Sequence, residues 1–139
     1  LKNTYTSVLC VVKTKYNQTL ELSKVSKKGS DPLMITKWHP INLYSGNWEF
    51  PNFVGDVIFT NETEVYTLVL ESGHMVYANN IVTICLGHNY KEGILNHDYF
   101  GSNKVINDLK KLKGWDEGFI TIDETQFSRG KDGLVNEIK

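Results

Sequence analysis

Arginine is nearly missing from this chain. Arg129 is the single arginine among 15 basic residues, and 16 acidic residues bring the formal net charge to −1. Bidentate recognition of phosphate or guanine is therefore poorly supplied. No basic surplus marks a nucleic-acid or anionic-membrane partner. Cysteine is equally scarce: Cys10 and Cys85 are the only two, with no C-x-x-C pair, which excludes a disulfide scaffold and leaves the compartment unassigned. No apolar run approaches the roughly 18 residues of a membrane-spanning helix, and no secretory leader is recognisable. No G-x-G-x-x-G or P-loop is present, so nucleotide binding has no support. No repeat of fixed period occurs. Two N-x-S/T sequons, Asn17–Thr19 and Asn61–Thr63, are short enough to arise by chance.

What is there suits one folded domain. The chain has 139 residues, 40% of them apolar and 12% aromatic. A chain of that length buries about two thirds of its unfolded surface. Strand-like stretches dominate. YTSVLCVVK (5–13) is rich in β-branched and aromatic residues, 19–25 alternates, and LMIT (33–36) is short. VGDVIFT (54–60) follows an aromatic, turn-rich region from Tyr44 to Phe53. VYTLVL (65–70) is apolar on both faces, which predicts a central strand. HMVYAN and IVTICL (74–79 and 81–86) flank Asn79-Asn80, a pair that tolerates left-handed backbone. One helix is predicted, over 103–113, where Val105, Ile106, Leu109 and Leu112 share a face. Ser102 or Asn103 can cap its start and Gly114 its end. The tail, 115–139, is mixed. The fold class is mostly β.

Histidine is the side chain best suited to proton transfer near neutral pH. There are four: His39, His74, His88 and His97. In Thr36-Lys37-Trp38-His39-Pro40, the proline keeps His39 out of helix. A turn there can bring a hydroxyl and an imidazole to one carbonyl or amide. The structural alternative is a capping threonine beside a surface histidine. His74 follows a turn and by itself reads as a locally bonded turn residue. Cys85, His88 and His97 are spaced C-x2-H-x8-H, a weak metal-ligand pattern whose nearest fourth donor is Asp98. The alternative is a small buried Cys85 with two satisfied histidines. Cys10, inside VLCVV, is expected as a buried, unreactive thiol. Asp108, Asp116 and Glu117 are expected to be solvated. The KKLK run at 110–113 suits a helix C-terminus electrostatically.

The T-x-x-H segment, taken with VYTLVLESGHMVYANN (65–80), resembles two conserved blocks of the Hint superfamily of inteins and hedgehog autoprocessing domains. The second stretch is similar to the late intein block V-Y-D-L-x-V-x-x-x-H-x-F-x-A-N-G, and the two blocks come in the family's order. VLCVVKT (8–14), ITKWHPI (35–41), WEFP (48–51), ICLGHN (84–89), HDYFGSNKVINDLKKLKGW (97–115) and GLVNEIK (133–139) resemble one branch, the Vint domain. The resemblance covers nearly the whole chain. It implies a Hint fold: a β core over 1–89 and a C-terminal, helix-bearing extension over 90–139.

The resemblance also implies self-processing without a cofactor. In Hint domains a Cys or Ser at the first position attacks the preceding carbonyl, and a thioester or ester replaces the peptide bond. The T-x-x-H histidine destabilises the scissile amide and protonates its nitrogen. That role carries onto His39, with Thr36 helping to position it. The late-block histidine carries onto His74. The nucleophile block, a strand pair ending in G-D-x-V, is expected N-terminal to residue 1, since Leu1 has no nucleophile and Cys10 lies too near His39. Thr67 stands where V-Y-D has aspartate. Ile84 and Cys85 stand where inteins have His-Asn, so cleavage without splicing is expected, and Cys85 is a further site candidate as in hedgehog-type domains. The implied partner is the chain's own upstream polypeptide, or a separate N-terminal Hint fragment. A non-catalytic binding module, such as the complementing half of a split Hint domain, is the alternative.

Overall fold

The computed structural model describes residues 4–44 and 46–139; Leu1, set aside above as a nucleophile, lies outside them. The elements run β1 (Val8–Lys15), β2 (Glu21–Val25), β3 (Leu33–Ile35), β4 (Ile41–Asn42), α1 (Pro51–Val54), β5 (Asp56–Phe59), β6 (Glu64–Leu70), β7 (Met75–Ala78) and β8 (Ile81–Ile84). There follow α2 (Asn103–Lys110), β9 (Phe119–Asp123), β10 (Phe127–Arg129) and β11 (Val135–Ile138), with short 3-10 turns at Gly93–Leu95 and Glu124–Gln126. The molecule is mostly β, as the sequence predicts. Among the described residues the strands form three sheets, ordered β6-β1-β9, β3-β2-β5 and β4-β8-β7, and a β10-β11 hairpin.

β1 is the backbone of the largest sheet. Its inward residues Cys10, Val12 and Thr14 alternate with more exposed ones. β6 pairs with it antiparallel and β9 parallel, setting Val12 opposite Ile120 and Thr14 opposite Ile122. Such directly facing β-branched pairs are the stabilising unit of a sheet. β9 falls in the tail that the sequence reading leaves mixed. The alternation in FITID, with only Ile120 and Ile122 buried, is the signal for it.

β6 flanks β1 instead of taking the centre of the sheet. Its outer edge is met at Leu68, whose carbonyl accepts from Leu86 N–H at 3.2 Å. The chain leaving β8 therefore touches that edge at one point without forming a strand. At 51–54 a helical turn with Pro51 at its start replaces the first residue of the expected strand, and β5 begins only at Asp56.

α2 starts at the expected place. The Ser102 hydroxyl accepts from Lys104 N–H at 3.2 Å, and the helix buries Val105 and Leu109. Those two join Cys10, Val12, Val69, Tyr99, Ile120, Ile122, Val135 and Ile138 in one apolar cluster. Asp108 is not simply solvated. Its Oδ2 accepts from the Tyr99 hydroxyl at 2.7 Å and from Ile138 N–H at 3.3 Å, because burial of Tyr99 obliges its hydroxyl to find an acceptor. Cys10 is fully buried with its thiol pKa raised by desolvation, as expected. Among the described residues no helix is long and apolar enough to cross a membrane.

Candidate active site

A second apolar cluster, Val25, Ile35, Ile41 and Ile81, holds the T-x-x-H turn from below. Ile35 ends β3 one residue before Thr36, and Ile41 begins β4 one residue after Pro40. Both are buried, so the five residues between them are pinned at each end. Inside the turn, His39 N–H donates to the Thr36 carbonyl at 3.3 Å. Lys37 is tied twice, by Asn52 N–H donating to its carbonyl at 3.0 Å and by its ammonium on Glu21 at 3.1 Å. Trp38 projects outward, 57% exposed, with edge contacts to Phe50 and Phe53. The His39 ring faces the end of β8.

That ring meets a backbone carbonyl. His39 Nε2 lies 2.6 Å from the Ile84 oxygen. A carbonyl only accepts, so Nε2 carries the proton and, in the neutral ring, Nδ1 carries the lone pair. Enclosure of the ring lowers the His39 pKa, and the bond to Ile84 opposes this more weakly. The neutral form is therefore favoured near pH 7. Ile84 is itself buried, so its carbonyl needs a partner, and His39 supplies it.

The other side of the same peptide is held by His74. Cys85 N–H donates to the His74 carbonyl at 2.8 Å. His74 makes this contact from a left-handed backbone, with φ 54, directly after Gly73 at φ 77. Its Nδ1 is buried without a hydrogen-bond partner among the described residues. Cys85 is buried, and desolvation pushes its thiol up to about 12. At neutral pH that thiol stays protonated.

The structure thus brings His39, His74 and Cys85 together on the Ile84–Cys85 peptide, with Thr36 closing the turn through its carbonyl. It does not bring Cys85, His88 and His97 together as metal ligands. Among the described residues no group of three His, Cys, Asp or Glu side chains is placed to hold a metal ion. Local backbone claims both rings instead. His88 Nδ1 accepts from Tyr90 N–H at 2.9 Å, and His97 Nδ1 accepts from Tyr99 and Phe100 N–H at 3.2 and 2.9 Å. Burial lowers both pKa values, and nearby His74 and His97 lower that of His88 further.

Sequence reading missed one participant, the carbonyl of Ile84. No signal could have found it, because a main-chain acceptor has no residue type.

The family model for Vint, described as a Hint-domain, matches residues 1–137. A search of curated proteins finds no match.

Proposed function

Because the chain belongs to the Hint-domain family in its Vint branch, and so to the intein-like, autoprocessing kind of domain, we propose that it cleaves its own polypeptide through an N–S acyl shift. The attacking group is a cysteine upstream of Leu1. The observation that carries the reading is the His39 contact to Ile84, which occupies Nε2 and leaves the Nδ1 lone pair without a partner among the described residues, on a ring whose neutral form is favoured.

The step balances around that nitrogen. The upstream thiol sulfur bonds the preceding carbonyl carbon, and the carbon–nitrogen bond breaks. The thiol proton passes to Nδ1 of His39 and from there to the departing nitrogen. While both ring nitrogens are protonated, the Ile84 carbonyl accepts from the cationic ring and stabilises it. The thioester is then resolved by a second nucleophile. Thr36 positions the turn, and His74 and Cys85 are secondary participants at the same peptide. Cleavage proceeds without splicing, since Ile84 and Cys85 offer no asparagine for cyclisation. No cofactor is required. The partner is the chain's own upstream polypeptide, or a separate N-terminal Hint fragment.

The test is intact mass of the chain expressed with its native upstream sequence, with and without His39→Ala. The expected result is a break just before an upstream cysteine in the wild type and an uncut variant. If both stay whole even with added thiol, the domain is a non-catalytic binding module or the complementing half of a split Hint domain.

A further inference from the structure

Four groups meet at the end of β8 in an alternating order. The His39 ring donates to the Ile84 carbonyl at 2.6 Å, and the peptide continues to Cys85, whose N–H donates to the His74 carbonyl at 2.8 Å. The Ile84 N–H faces the Pro40 carbonyl at 3.4 Å, so the T-x-x-H turn touches Ile84 twice. One peptide plane therefore sits between the two blocks that hold the candidate histidines. A peptide is rigid about its C–N bond, so fixing its N–H also fixes the direction of its carbonyl. What His74 does to Cys85 is thereby felt by His39.

We propose that the Ile84–Cys85 peptide is a positioning group that locks His39 as the Nε2–H tautomer, and that His74 acts on it through its main-chain carbonyl. This rests on the autoprocessing reading for its purpose, since the lock is what leaves Nδ1 available. Its structural content stands without that reading.

The backbone of His74 explains how. At φ 54 its carbonyl is turned back toward β8, a conformation that few residues with a Cβ adopt. Gly is indifferent to it, Asn tolerates it, and a β-branched residue resists it. The side chain at position 74 therefore affects the lock chiefly through which backbone conformation it permits. Cys85 contributes an N–H, not its thiol, and that accords with the sulfur being buried and protonated.

The cost of the wrong tautomer is specific. If Nδ1 carried the proton, Nε2 would be an acceptor aimed at another acceptor 2.6 Å away. A buried pair of that kind loses a hydrogen bond and adds repulsion between two lone pairs. A solvated neutral histidine exchanges between both tautomers with a preference for Nε2–H, so a single form with no Nδ1–H population in the folded chain reports the Ile84 contact.

Long-range proton–nitrogen correlation spectra of the histidine-labelled chain read this directly. They are recorded near pH 8 on the wild type, His74→Asn, His74→Gly and His74→Val, with His39→Gln to assign the His39 signals. The wild type is expected to show His39 in one form, protonated at Nε2. His74→Asn and His74→Gly should keep that signature, and His74→Val should turn it into a mixture of both forms. A wild-type His39 protonated at Nδ1, or a folded His74→Val with an unchanged signature, overturns the proposal. Loss of the signature in His74→Asn and His74→Gly overturns the backbone role of His74. Should His74→Val fail to fold, His74→Thr, which is β-branched as well, takes its place with the same expected mixture, and the wild-type spectrum still decides the tautomer. No cleavage is needed for any of these readings. A locked His39 in a protein that never cleaves would sink the proposed function and leave the positioning role standing.

Discussion

The four histidines divide the molecule into two regions that use the same side chain differently. His88 and His97 accept backbone N–H groups two or three residues ahead, so their rings close turns. His39 instead reaches a carbonyl 45 residues away in sequence. The first kind of contact is local and helps fold the chain on which it sits. The second joins two distant blocks and, among the described residues, leaves a ring nitrogen unused. The lesson concerns the partner: an imidazole that accepts from its own loop is spent, whereas one that donates to a distant carbonyl keeps its basic nitrogen.

The cores under the two regions differ as well. The C-terminal region packs α2, β9 and β11 against β1 in a ten-residue buried cluster. The T-x-x-H turn rests on four buried residues and leaves Trp38 and Phe53 outside, 57% and 72% exposed. Mutations in the first region should therefore act on stability, and mutations in the second on reaction.

The sharpest test exchanges the two kinds of histidine. In the protein carrying its upstream segment, His39→Ala should slow cleavage by about 10²- to 10⁴-fold, the usual worth of a positioned acid–base group. His97→Ala should lose folding stability while cleavage continues. Equal loss of cleavage in both variants, followed by mass against time, would erase the distinction. Next in size, Leu109→Ala should cost about 3 kcal/mol in urea unfolding, since the side chain is fully buried between α2 and the sheet. Tyr99→Phe should cost about 1–2 kcal/mol, because Asp108 then loses one of its two partners. Ser102→Ala should cost about 1 kcal/mol by removing the cap of α2.

The smallest effect is the pH dependence. His39, His88 and His97 all have pKa values lowered by burial. Below the ordinary histidine value of about 6.5 the unfolded chain binds more protons than the folded one. Stability is thus full above that pH and falls as the pH drops toward the folded-state values. His39→Gln should flatten part of that fall, and the same double substitution at His88 and His97 should flatten the rest. Melting temperatures between pH 5 and 8 check it. A wild type that melts higher at pH 5 than at pH 7 would contradict the sign.

Much of this was legible in the residues. Alternation marks β2, the Asn79-Asn80 pair marks the strands on either side of it, and the φ values of 48 and 64 at these two residues match the turn that the pair predicts. Helical spacing and Ser102 marked α2, because local periodicity and capping are local physics. β9 is weakly marked although FITID alternates, since its partner β1 lies more than a hundred residues away and a parallel pairing has no hairpin to announce it. VYTLVL looked central because apolar residues on both faces do not say whether strand or loop covers the second edge. Asp108 looked solvated because the hydroxyl it meets comes from Tyr99, whose burial is a tertiary fact.

The sequence by itself determined the mostly-β class, the non-helical T-x-x-H turn before Pro40 and the membership signalled by its two blocks. Each depends on residues near one another in the chain, where side-chain type constrains the backbone directly. Only the tertiary structure decided which histidines remain free, which nitrogen of His39 carries the proton, and that Cys85 is sealed. Those depend on main-chain carbonyls and on burial, and both are set by how distant segments pack.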